Sequence, residues 1–288
     1  KYDLIFNSYI YPKYIGRGSV PPNVLRINYQ TDRVLKYRGN LNPQYARKLH
    51  LKKEEKMDAI LTTTKFSIPL IKKEHPILSD SIYYCPNFLP KLNPISSETL
   101  DKKINNYPIK ILFLGRDGKR KGLFEFINAI SRLDEEHRKK IKVFIVSENK
   151  FNHSILKDID FVYKPHLPHS EALNLMKNVH IFCMPTKSDS YGLVFIEAMS
   201  KGCAVIADDD LPRLEMIKNN NCGLCINPNK INQIKNALKQ LILDEQLRET
   251  YMQNSLKTFK SEYSPESVAK KHKKIFYNVI NKNTKKDK

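Results

Sequence analysis

A chain of 288 residues, 41% of them hydrophobic, is long enough for two ordinary domains with a core in each, which excludes disorder as the default. Lys and Arg number 50 against 30 Asp and Glu, and the formal charge of +20 points to an acidic partner: nucleic acid, an anionic membrane face or a phosphate-bearing substrate. The apolar runs are too short to span a bilayer, and five cysteines without framework spacing suggest a reducing, cytoplasmic setting.

Short apolar runs and helical patterns alternate through the first third. YDLIF (2–6) and NVLRI (23–27) predict strands, PQYARKLHLKKEEKMD (43–58) a basic helix and AILTT (59–63) a strand. FSIPLIKKEH (66–75) predicts a helix and SIYYC (81–85) a strand. Rich in Pro, Asn, Ser and charge, residues 91–108 are taken as a linker between an N-terminal domain, 1–90, and a second domain, 109–262. Beyond it the alternation is regular. Strands are predicted over 110–115, 142–147, 160–164, 180–185 and 203–208, and helices over 122–133, 169–179 and 193–201, with two more spanning roughly 230–260. Ser170 is the expected cap of the 169–179 helix, and Gly202 closes the 193–201 helix. This alternation predicts a parallel sheet covered on both faces. Residues 263–288 predict a basic amphipathic helix and tail crossing back to the N-terminal domain, with Ser264 as cap and Pro265 in the first position. Val268, His272, Ile275, Phe276 and Val279 form its apolar stripe. Its lysine face is either a solvated back or a membrane-surface contact.

Two polar loops follow strands, at the carboxyl ends where ligands of open parallel sheets sit. GRDGKRKG (115–122) places Arg116, a planar fork suited to a diphosphate, five residues before Lys121, a mobile point charge. TKSDSYG (186–192) leads into the helix that starts near Leu193, with Asp189 in the loop and Glu197 one turn into the helix. Carboxylates accept hydrogen bonds from sugar hydroxyls, and the N–H groups of a helix N-terminus bind phosphate. Taken singly, each loop is better explained without a ligand, the first as a basic surface turn and the second as a capping Asp beside an incidental Glu. Together they supply two cations, a helix N-terminus and two carboxylates, which is the set a nucleotide-diphosphate sugar needs.

GRDGKRKG resembles the G-R-x(4)-K-G element of the glycogen-synthase-like family 4 glycosyltransferases, and DSYGLVFIEAMSKGCAVIA resembles their E-x(7)-E segment. KMDAILTTTKF, YYCPNFLP and NCGLCINPN are similar to further family segments in the same order, so the resemblance covers nearly the whole chain and is most specific over 110–228. It implies an α/β GT-B fold: two Rossmann-like domains with parallel sheets facing a cleft. It also implies retaining, metal-independent sugar transfer with no cofactor, the substrate being a UDP- or GDP-sugar. Under the resemblance Arg116 and Lys121 are the catalytic pair that stabilises the diphosphate leaving group. Gly115 and the backbone at Ser190, Tyr191, Gly192 and Leu193 line the donor site, Glu197 holds the ribose hydroxyls and Asp189 the transferred sugar.

The chain departs from the family pattern in places. Asp189 stands where the family carries Glu, one methylene shorter, and Leu211-Pro212 replaces the usual Gly-Gly. No Gly-rich first strand–turn–helix is found: Gly16-Arg17-Gly18 precedes prolines, and Tyr29 and Gln30 stand near the place of a histidine of some relatives. With Lys1 as its first residue, the chain is read as starting part-way through an incomplete N-terminal domain. The expected acceptor is a saccharide or lipid-linked one of the cell-surface polysaccharide or lipopolysaccharide type. The expected setting is cytoplasmic, peripheral at the inner face of an anionic membrane, without nucleic acid. Two other readings stand beside it: a non-catalytic nucleotide-sugar-binding remnant and, on charge alone, a nucleic-acid-binding protein. Among weaker signals, the D-x-D of Asp208-Asp209-Asp210 is read as a polar turn, and Cys222 and Cys225 have metal or redox spacing without a second pair. His166 and His169 are taken to lack a nearby carboxylate partner and are read as loop and helix-start residues.

Overall fold

The structure, a computed structural model, describes residues 5–7, 23–27, 58–74 and 76–284. The helix expected over 43–58 falls, up to residue 57, outside the described residues, as do Gly16-Arg17-Gly18, Tyr29 and Gln30. Strands among the described residues are β1 Ile5–Asn7, β2 Asn23–Ile27, β3 Ala59–Thr62, β4 Ile82–Tyr84, β5 Ile109–Leu114, β6 Ile141–Val146, β7 Asp160–Lys164, β8 Ile181–Met184, β9 Ala204–Asp208 and β10 Gly223–Ile226. The longer α-helices are α1 Ser67–Glu74, α2 Ser97–Ile104, α3 Leu123–Ser131, α4 His169–Asn178, α5 Leu193–Ser200, α6 Ile231–Leu243, α7 Glu245–Thr258 and α8 Pro265–Thr284. The chain divides into two compact units, one of residues 1–88 with 265–288 and one of residues 89–264.

In the first unit β1, β2, β3 and β4 form a parallel sheet in chain order. Inner parallel strands are covered on both faces and need apolar side chains on both, and β3 is buried at all four positions. Alternation along it sends Ala59 and Leu61 to one face, with Cys85 and with Val268, Ile275 and Val279 of α8. Ile60 goes to the other face, with Ile71 of α1 and Ile82 of β4. The predicted stripe of the last helix is its packed side, and Lys270, Lys273 and Lys274 are exposed.

The second unit carries a six-stranded parallel sheet in the order β10-β9-β8-β5-β6-β7. Numbered from β5 within the unit and read from the β7 edge, this is the 3-2-1-4-5-6 order of a doubly wound sheet. The chain runs outward from β5 through β6 to β7, then returns to place β8 on the other side of β5. Loops leaving β5 and β8 therefore diverge side by side at the point where the winding reverses. Leu112 pairs with Phe182 and shares its face, so Phe113 points the opposite way. Phe182 meets Phe195 of α5 edge-on at 5.7 Å, and Phe113 stacks on Phe126 of α3 at 5.4 Å. Apolar helices thus cover both faces.

Three local features differ from the sequence expectations. The stretch expected as a linker carries α2, which starts from Ser96 accepting the Thr99 N–H at 3.1 Å. Its Leu100 joins the core, and its buried Lys103 donates to the carbonyls of Lys201 at 2.7 Å and Gly202 at 3.0 Å, where α5 ends. Composition marks the turns of that stretch, but packing on the second unit decides the helix. Pro168, held at φ −54°, leads α4 into its first turn at His169, which leaves Ser170 inside the helix rather than at its cap. Only four residues long, β10 is too short to show a period in the sequence, yet it pairs with β9 along its whole length.

Candidate functional site

The β5 loop begins at Gly115, whose N–H donates to the Val146 carbonyl at 2.9 Å. A Cβ on Gly115 would stand 2.8 Å from Lys121 Cβ, so the bare backbone lets the Lys121 stem lie against the strand end. Asp117 accepts the Arg120 N–H at 3.2 Å and starts the single turn Gly118–Lys121. Arg116 precedes this turn and is exposed, its Nε 3.2 Å from Glu148 Oε1.

The β8 loop ends at Gly192, which has φ +85° and turns the chain into α5. Glycine adopts this left-handed backbone without strain, and a Cβ there would lie 2.6 Å from the Phe195 ring. Phe195 and Ile196 are buried, which anchors α5 and fixes where its N-terminus points; Leu193 is exposed and Tyr191 buried. The first amides of such a helix have no preceding turn to bond.

These two loops are joined to one another. Lys121 Nζ hydrogen-bonds Asp189 Oδ2, and both side chains are mostly buried. Alongside, Arg120 donates from Nη1 to the Ser188 carbonyl at 2.8 Å and from Nε to Asp117 at 3.0 Å. Lys187 N–H donates to the Arg120 carbonyl at 2.9 Å. Burial lowers the pKa of the Lys121 ammonium, and Asp189 offsets this only in part. Burial alone would raise the Asp189 carboxyl, but Lys121, Arg213 and the Tyr191 N–H together hold it below its ordinary value.

Glu197, largely buried on α5, has its Oε1 2.7 Å from His169 Nε2 at the start of α4. This corrects the sequence reading of His169, whose carboxylate partner lies 28 residues away and is brought to it by the packing of α4 on α5. Arg120 and Arg213 were not singled out from the sequence either. A second arginine inside GRDGKRKG looks redundant, and Arg213 lies in no motif; the available signal was Asp208 at the end of the apolar run CAVIAD, an acid that needs a partner once the strand is buried. Arg213 binds Asp208 through Nε at 2.9 Å and Nη2 at 3.0 Å, so the D-x-D aspartate is engaged inside the protein. Among the described residues no group of three or more His, Cys, Asp or Glu stands together as a metal site.

A parallel sheet with its two charged loops at the winding reversal suits a phosphate-bearing ligand, and the comparisons with known proteins agree with that architecture. The family model described as "Glycosyl transferases group 1" matches residues 97–258, more than half of the chain and both loops. The chain belongs to the group 1 glycosyl transferases. It is 24% identical over 173 residues to a capsular polysaccharide biosynthesis glycosyltransferase, CapM, of Staphylococcus aureus, covering 58% of this chain and 45% of that one. To an uncharacterised glycosyltransferase of Methanocaldococcus jannaschii it is 27% identical over 173 residues, 57% of this chain and 47% of the relative. The chain spans about half the length of the curated relatives it matches. Among solved structures, sucrose-phosphate synthase of Thermosynechococcus elongatus superposes with a TM-score of 0.67 at 16% identity, covering 97% of this chain and 74% of that one. WaaG, a glycosyltransferase involved in lipopolysaccharide biosynthesis, superposes at 0.60 and 16% identity, covering 90% and 77%. Anabaena HepE in complex with UDP and glucose superposes at 0.63 and 13% identity, covering 88% and 71%. The fold is GT-B-like, α/β with parallel sheets.

Proposed function

We propose that this group 1 glycosyl transferase moves a sugar from a UDP- or GDP-sugar to a saccharide or lipid-linked acceptor of the cell-surface polysaccharide or lipopolysaccharide type, with retention of configuration and without a metal. The observation that carries this reading is the Lys121–Asp189 pair between the β5 and β8 loops. A cation held this way is released when a stronger anion arrives, so the pair marks where a diphosphate enters. Lys121 and Arg116 then neutralise the charge that grows on the diphosphate as the sugar–oxygen bond breaks. Gly115, Ser190, Tyr191, Gly192 and Leu193 line the phosphates, Glu197 accepts from the ribose hydroxyls, and Asp189 turns to the hydroxyls of the transferred sugar.

The acceptor class is supported by what the relatives are: a capsular polysaccharide glycosyltransferase and one involved in lipopolysaccharide biosynthesis. No helix among the described residues is long and apolar enough to cross a membrane. The exposed lysines of α8 support a peripheral position against an anionic membrane face. Calorimetry with UDP and GDP tests the donor site: binding to one of them, weakened in Arg116→Ala and Lys121→Ala, is the expected result. Release of nucleotide on adding a crude saccharide or lipid acceptor, insensitive to EDTA, supports transfer. Binding without release leaves a donor-binding remnant.

A further inference from the structure

Arg213 is fully buried in the second unit, at the end of the turn Leu211–Arg213 that follows β9. Three of its contacts are made. Nε donates to Asp208 Oδ2 at 2.9 Å, and Nη2 to Asp208 Oδ1 at 3.0 Å and Asp210 Oδ2 at 3.3 Å. Nη1 is also buried and has no hydrogen-bond partner among the described residues. A guanidinium nitrogen left unpaired in the interior is costly, because it gives up water and receives nothing back. The side chain passes beside the β8 loop: a Cβ on Gly192 would stand 3.7 Å from Arg213 Cδ. Arg213 and Asp189 stabilise each other's charged forms, and Arg213 also acts on the Lys121 ammonium. The groups that act on the Asp189 carboxylate are thus Lys121 from the β5 loop, Arg213 from the β9 side and the Tyr191 N–H of its own loop.

Donor entry poses a difficulty for this arrangement. If a diphosphate draws Lys121 away, Asp189 is left as a mostly buried carboxylate beside an incoming anion. Protonation would then be its easiest response, and a neutral acid accepts sugar hydroxyls poorly.

We propose that Arg213 is a positioning residue of the donor site, whose spare Nη1 takes over the Asp189 carboxylate when Lys121 moves to the diphosphate. This rests on the donor reading above. Arg213 reaches neither phosphate nor sugar; it keeps Asp189 ionised and aimed. Its two aspartates, Asp208 and Asp210, hold the guanidinium in place while Nη1 stays available.

Lys121→Met reproduces the withdrawn state without any ligand. In protein labelled with 13C at Asp carboxyl carbons, the Asp189 signal is assigned by its loss in Asp189→Asn and followed through an acid titration. With Arg213 in charge, Asp189 still titrates below the ordinary carboxylate range in Lys121→Met. A rise above that range, the behaviour of a stranded buried carboxylate, overturns the proposal. Calorimetry with UDP and GDP supplies the second measurement. Arg213→Lys weakens nucleotide binding about tenfold when Asp189 is present and leaves it unchanged in the Asp189→Asn background. An equal loss in both backgrounds means a merely structural arginine and overturns the proposal. Wild-type protein that binds neither nucleotide refutes the donor reading instead, and the titration still decides the role of Arg213. Should Arg213→Lys fail to fold, the titration stands, because it leaves Arg213 in place.

Discussion

Lys121 Nζ and Asp189 Oδ2, 68 residues apart in sequence, form an ion pair between the loops that leave the neighbouring strands β5 and β8. Under the proposed donor reading each group stands in for a ligand of the other. If a phosphate competes with Asp189 for Lys121, as that reading requires, substitutions of the two residues act in opposite directions on nucleotide binding. Lys121→Met removes a charge-assisted contact and lowers UDP or GDP affinity by roughly 10- to 100-fold, the span of about 1.5–3 kcal/mol. Asp189→Asn removes the competitor, so the same nucleotide binds several-fold more tightly while sugar transfer falls. Isothermal calorimetry and a transfer assay on the same two variants check the contrast; a loss of affinity in both would leave the pair without its proposed role.

Glu197 meets His169 through Oε1 at 2.7 Å, which under the proposed donor reading leaves its other oxygen for the ribose diol. The contact fixes the carboxylate of a side chain that is itself mostly buried. Glu197→Ala is expected to abolish discrimination between UDP or GDP and the matching 2′,3′-dideoxynucleotide, leaving their affinities within about twofold of each other. His169→Ala reduces that discrimination without removing it, since it loosens the carboxylate but does not delete it. Competition binding with the two nucleotide forms measures the ratio.

Gly192 carries the left-handed turn on which α5 begins. Alanine there adopts φ +85° at a cost of about 1–2 kcal/mol, and its Cβ must also displace the Phe195 ring, 2.6 Å away. Gly192→Ala is therefore expected to lower the thermal midpoint by several degrees and to weaken nucleotide binding, because the helix N-terminus tilts with the ring. Gly192→Asn, a residue better tolerated in this backbone region, recovers part of the loss in the same thermal scans.

His180 is expected to give the fold a pH dependence whose sign follows from its burial. Its Nδ1 accepts the Lys110 N–H at 2.9 Å and so carries no proton. Burial, with the charges of Lys103 and Arg248, lowers its pKa from 6.5 to about 4. Between those values the unfolded chain binds a proton that the folded chain refuses. Stability from His180 is therefore fully present above pH 6.5 and is lost as the pH falls towards 4, by about 3 kcal/mol in all. Urea titrations at successive pH values should show this slope in the wild type. His180→Asn, whose side-chain oxygen still accepts the amide, should be less stable at neutral pH but flat across that window.

Much of the second unit was legible in the sequence. Strands of a parallel sheet covered on both faces are nearly continuous apolar runs, so β5, β6, β8 and β9 announce themselves, and the glycines and charges of GRDGKRKG and SDSYG lie close enough together to be read as loops. Less was legible where context outweighs composition. The Pro- and Asn-rich stretch before β5 contains α2 because Leu100 and Lys103 find places in the core and under the end of α5, which no local pattern states.

The partners of the charges were decided by the tertiary structure alone. Sequence by itself supplied the residue types of the candidate site: Arg116, Lys121 and Asp189 in the loops that follow β5 and β8, and Glu197 one turn into α5. It did not tell that Lys121 is held by Asp189, that His169 holds Glu197, or that Arg213 lies beneath Gly192 with a nitrogen to spare. Each of these contacts joins segments brought together only by the reversal of strand order between β5 and β8 and by the helices packed across it. Periodicity and turn chemistry act over a few residues, whereas ion pairing acts through space, and only the folded sheet turns sequence separations of 28 and 68 residues into hydrogen-bond distances.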